Sequence, residues 1–127
     1  MTNAPPTLAV WAMALTCVLL SAAAQLLMKI GMMGLRSAGP LAPAATAIAA
    51  ALNPYVHGGL VCYGLSAVLW LAVLSRMPLS MAYPLAALAI ALVVVMAGLL
   101  LGEPLPLARI AGAAVIVLGV VMIGLRG

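Results

Sequence analysis

Four long apolar runs, separated by proline and glycine, organise this chain. The first, from Leu8 to Lys29, reads LAVWAMALTCVLLSAAAQLLMK. A bilayer's hydrocarbon core is about 30 Å thick, and roughly 20 apolar residues in a helix cross it. The later runs cover residues 56–75, 81–101 and 107–125. None alternates apolar with polar positions, and lipid admits only helices or closed barrels. The pattern predicts an all-α bundle of four transmembrane helices in one integral membrane domain, residues 1–127, with spans at about 8–30, 56–75, 81–101 and 107–125.

The breakers set the boundaries. GMMGLRSAGPLAP follows Lys29, so the first helix is expected to fray between Gly31 and Gly39. Ala44 to Leu52 has helical propensity but is too short to span, which places it at the interface or against the bundle. Asn53-Pro54 offers a capping residue followed by proline at the first helical position. Pro84, early in the third span, either delays that helix or kinks it. Short turns make the second, third and fourth spans antiparallel neighbours of one another. Lys29, Arg36, Glu103 and Arg109 then share one membrane face, with Arg76 and Arg126 on the other. Three cations against two is too weak a bias to set orientation. The stretch Met1–Gln25 has no basic n-region and a long apolar run, so it is read as a retained helix rather than a cleaved leader.

Composition narrows the function classes. Of 127 residues, 69% are hydrophobic and 5% charged, which excludes a water-soluble domain. The net charge of +4 points to anionic lipid or an anionic substrate; no basic cluster with interleaved aromatics suggests nucleic acid. Arg76 and Arg126 read as snorkelling loop-end markers. Four spans leave no stretch for a soluble catalytic domain, so no enzymatic activity is expected. Cys17 and Cys62 fall within spans, without a CxxC or paired histidines, and read as packing residues rather than metal ligands or a disulfide. No metal or cofactor is expected. His57 opens the second span as an interfacial hydrogen-bonding group.

Polar residues are costly in lipid and turn toward partners or cavities. Cys17, Ser21, Gln25 and Lys29 recur every four residues and form a slowly turning polar stripe on the first helix. Tyr63, Ser66 and Trp70 form a second stripe, which either packs the bundle or lines a ligand site. Ala108, Gly112 and Gly119 share a face of the last span, where small residues allow close helix approach. Lys29 and Glu103 are expected at similar depth, as a pair. Glu103 has a rival partner in Arg109, and helix-end electrostatics favours both placements without any function.

Three segments together carry a family resemblance: AQLLMKIG (24–31), LSAVLWLAVLSRMPLSMAYPL (65–85) and GEPLPLARIAGAAVIVLGVVMIG (102–124). In this order, on four spans, they resemble the small multidrug resistance group of the drug/metabolite transporter superfamily. Within it they are most similar to the small subunits of the 4-amino-4-deoxy-L-arabinose-phosphoundecaprenol flippase. That resemblance implies a bacterial inner-membrane, multi-pass subunit translocating a polyisoprenyl-phosphate-linked (amino)sugar for lipid A or envelope modification. It also implies a homodimer, or a heterodimer with a related small subunit. Ser21, Gln25, Lys29, Trp70, Tyr83 and Glu103 are then the substrate-binding candidates, and Ala108, Gly112 and Gly119 the dimer contacts. Aligning the shared LMK puts Ser21 where the drug-exporting members carry their proton-exchanging glutamate. No acid lies in any span, so a proton-coupled exporter lacks its titrating group. An exporter of metabolites or drugs and a non-transporting accessory subunit remain the alternatives.

Overall fold

The computed structural model describes residues 6–126, without the side chain of Arg126. Met1–Pro5, Gly127 and that arginine side chain, all touched on above, lie outside the described residues. Among the described residues five helices follow one another: α1 (Leu8–Ser37), α2 (Pro43–Leu52), α3 (Pro54–Leu74), α4 (Leu79–Leu101) and α5 (Leu107–Arg126). All except α2 are long and apolar enough to cross a membrane, and no strand occurs among the described residues. Their outer surface is apolar: Leu71, Leu99, Leu107 and Leu118 are all more than 60% exposed. Water would penalise such a surface and lipid does not. The chain is an all-α, multi-pass membrane protein.

α1 is the central element. Both α3 and α4 pack along it, α5 lies against α4, and α2 bridges the ends of α1 and α3. The turn at 75–78 joins α3 to α4, yet the two barely touch, because each leans on α1 instead. The neighbour relation expected from short turns therefore fails for this pair. A core of Val10, Ala14, Val73, Met77, Ala82 and Leu85 closes the bundle at the Arg76 end.

α1 continues past Lys29 for two further turns and ends at Ser37, within the Gly31–Gly39 stretch where the glycines place its end. Gly31 is a packing residue, not a breaker: a Cβ there would lie 2.8 Å from Asn53 Oδ1 and 3.0 Å from Val56 Cγ2. The backbone turns only after Ser37, at Gly39 with φ +117°. Asn53 caps α3 as its sequence indicates, its Oδ1 accepting from the Tyr55 N–H at 2.9 Å. Its amide also donates to the Gly31 carbonyl at 3.4 Å, tying the start of α3 to α1. α4 begins at Leu79, so Pro84 sits inside it and denies the Ser80 carbonyl its helical partner.

One glycine sets how closely α1 and α3 meet. A Cβ at Gly59 would fall 2.6 Å from Met28 Cγ and 2.8 Å from the Ala24 carbonyl oxygen. The backbone oxygen cannot yield as a side chain can. Gly59→Ala is expected to destabilise the bundle by about 1–3 kcal/mol, the usual cost of overpacking, despite alanine's better helix propensity. Unfolding followed by circular dichroism in detergent checks this, with Gly64→Ala, where a Cβ meets nothing within 4 Å, as the control.

Candidate functional site

The angle left between α3 and α4 is filled on one side by α1, and a trough runs along α1 there. Its inner part, a cavity of about 200 Å³, is bounded by Cys17, Val18 and Ser21 of α1 and by Ala86 and Ala89 of α4. Tyr63, Ser66, Ala67 and Trp70 of α3 form its third wall. Its outer part, about 300 Å³, lies between Gln25, Leu26 and Lys29 of α1 and Val93, Met96 and Ala97 of α4, with Glu103 at its end. The two cavities share no lining residue but follow one another along α1 and α4, Ser21 preceding Ala22 and Ala89 lying one turn before Val93.

Helical spacing explains the arrangement. The polar stripe at Ser21, Gln25 and Lys29 follows the four-residue row that faces α4. Across from it, Ala86, Ala89, Val93 and Ala97 recur at three- and four-residue steps, and their short side chains leave the space open. From Leu8 to Ser21 the helix rises about 20 Å, and to Lys29 about 32 Å. With Leu8 placed at one edge of a hydrocarbon core of about 30 Å, Ser21 falls within it and Lys29 at its far edge.

Polar groups in the trough are unevenly committed. Ser66, buried, donates its hydroxyl to the Cys17 carbonyl at 3.0 Å and so fastens α3 to α1 beside the inner cavity. Among the described residues, neither the Ser21 hydroxyl nor the Gln25 amide makes a protein hydrogen bond. Both are free to receive a polar ligand.

At the mouth, Lys29 Nζ lies 3.2 Å from Glu103 Oε1. Their side chains are 50% and 33% exposed, so the pair contributes only about 0–1 kcal/mol and opens readily. Arg109 does not compete for Glu103 here; its guanidinium donates to the Pro104 carbonyl at 3.4 Å.

Ser21, Gln25, Lys29, Trp70 and Glu103 are thus brought together along one trough, while Tyr83 is 59% exposed on α4 and outside its lining. The period of α4 explains this: the inward row runs through Ala82, Leu85 and Ala89, leaving Tyr83 to one side. Sequence reasoning also missed the alanine row of α4, whose signal was the small-residue repeat in LAALAIALVVVMAG. Ala108 and Gly112 are exposed on α5 and Gly119 is half-covered; a Cβ at either glycine meets nothing within 4 Å. Cys17 and Cys62 are free thiols. Comparison with protein-family models, curated proteins and solved structures gives no match to this chain.

Proposed function

We propose that the chain is a subunit that carries a polyisoprenyl-phosphate-linked sugar, of the aminoarabinose-phosphoundecaprenol type, across a bacterial inner membrane. One observation carries this reading: a trough with free hydroxyl and amide groups ends at a cation whose ion pair is weak and half-exposed. An anionic phosphate matches Lys29, a polar sugar matches Ser21 and Gln25, and a hydrocarbon tail can stay in lipid throughout. The resemblance in residues 24–31, 65–85 and 102–124 supports the same substrate class. A proton-coupled exporter of lipophilic cations fits less well, because no carboxylate lines the trough before its mouth. A non-transporting accessory subunit would leave the unmet polar groups of Ser21 and Gln25 without a use.

The test is reconstitution of the chain in vesicles, with and without a related small subunit. Leaflet exchange of undecaprenyl-phosphate-linked sugar is compared with uptake of a quaternary cation under a pH gradient. Exchange of the lipid supports the proposal; cation uptake driven by the gradient overturns it.

The working unit is proposed to be a pair, formed through Ala108, Gly112 and Gly119 of α5. None of the described side chains of α5 is buried within the chain, and small residues permit the close backbone approach that holds membrane helices together. Gly112→Leu is expected to lower the crosslinked dimer fraction in native-like membranes several-fold, whereas Leu118→Ala is expected to change it little. A dimer fraction unaltered by Gly112→Leu removes this face from the interface.

A further inference from the structure

The turn between α4 and α5 is folded back onto the last turns of α4, and its hinge is a glycine that does not touch the trough. Gly102 closes α4 with φ +64°, in the left-handed region that favours glycine. The N–H groups of Gly102 and Glu103 both reach the Ala97 carbonyl, the latter at 3.1 Å. The next residue along α4, Gly98, lies directly beneath the Leu105 side chain: a Cβ there would stand 2.8 Å from Leu105 Cγ and collide with Leu105 Cδ1. On the far side of the turn, Arg109 holds the Pro104 carbonyl. Glu103 is therefore held between three anchors, and its carboxylate meets Lys29 at the end of the trough.

We infer that Gly98 and Leu105 are positioning residues for Glu103: Leu105, seated on the bare backbone of Gly98, aims the Glu103 carboxylate at Lys29. Without that seat the turn swings off α4, and Lys29 loses its resting partner although neither charged residue has changed. The clash at Gly98 involves the branch point of the leucine as well as a terminal methyl, so a simple rotation of the tip does not relieve it. The remainder of α4 has no reason to suffer, since alanine is the better helix former. Truncating Leu105 then clears the volume that the new methyl group needs. This inference draws on the proposed phosphate contact only for its consequence in transport; the geometry is testable without it.

The experiment measures the Lys29–Glu103 proximity directly. In a background with Cys17→Ala and Cys62→Ala, Lys29→Cys and Glu103→Cys are joined by a short bis-maleimide in membranes. Gly98→Ala is expected to slow this crosslink at least fivefold, and adding Leu105→Ala to Gly98→Ala to restore it to within about twofold. Circular dichroism on the same samples confirms that helix content is unchanged. A control crosslink between Leu27→Cys and Gly58→Cys, at an α1–α3 contact where a Cβ on Gly58 would lie 3.9 Å from Leu27 Cδ1, is expected to be insensitive to both changes. In the chain with its native charges, Gly98→Ala should reproduce the transport behaviour of Glu103→Gln. Unchanged crosslinking in Gly98→Ala, or failure of Leu105→Ala to restore it, overturns the inference. A lost Leu27–Gly58 crosslink would show global disruption and overturn it equally. If wild-type vesicles show no lipid exchange while the crosslinks behave as stated, the substrate reading fails and the positioning role stands.

Discussion

Lys29→Met is expected to lower leaflet exchange of a polyisoprenyl-phosphate sugar by about ten- to a hundredfold while leaving expression and folding intact. A hydrogen bond to a charged group contributes roughly 1.5–3 kcal/mol, which sets that range. Folding is spared because the ammonium is half-exposed at the end of the trough and its ion pair with Glu103 is worth little. The stem of lysine and the side chain of methionine also cover similar apolar surface. Lys29→Arg should keep part of the activity, because guanidinium binds phosphate, though with a planar fork in place of a compact ammonium.

Glu103→Gln separates the two roles of the pair. If Lys29 must leave Glu103 in order to meet phosphate, removing the competing charge makes binding of a phospholipid-linked headgroup at least as tight as in the wild type. Exchange then slows at release rather than at capture. A Lys29 that only snorkels toward the headgroups would leave both substitutions nearly silent. Binding by fluorescence quenching and exchange by leaflet-selective labelling, run on the same vesicles, distinguish these outcomes.

How much of this was legible in the sequence depended on the range over which each feature acts. The four apolar runs, the short helix at 43–52 and the Asn53 cap are local, and each appears where propensity and hydropathy put it. Topology puts Lys29 and Glu103 on one face but leaves Arg109 as a rival partner, and only the 3.2 Å contact selects Lys29. Glycines were read least well, because the same residue breaks a helix in one place and permits contact in another. Gly31 looked like the start of a fraying end, but it is where Asn53 and Val56 press against α1. Gly98 carries no local signal, since its meaning lies in Leu105, seven positions on and beyond a turn. Residue type places Tyr83 in the polar seam, and the phase of α4 keeps it out. That α3 and α4 would both lean on α1, opening the trough between them, depends on three-body packing that no helix's own pattern records.

Ser21 offers the sharpest test of what the trough admits. It lines the deep cavity, half-buried, about 12 Å along the α1 axis from Lys29. Ser21→Glu puts a carboxylate where a phosphate must pass. At an effective dielectric of about 20, two like charges about 4 Å apart repel by roughly 4 kcal/mol, about a thousandfold in rate. At the mouth, about 12 Å away, the same charge repels a phosphate by only about 1.4 kcal/mol, about tenfold in affinity. Exchange should therefore collapse while capture at Lys29 weakens modestly, a split that a collapsed trough would not give. Ser21→Gln, similar in size and uncharged, should retain most exchange. If Ser21→Glu exchanged the lipid at the wild-type rate, phosphate would not travel past this position, and the trough would not be the path.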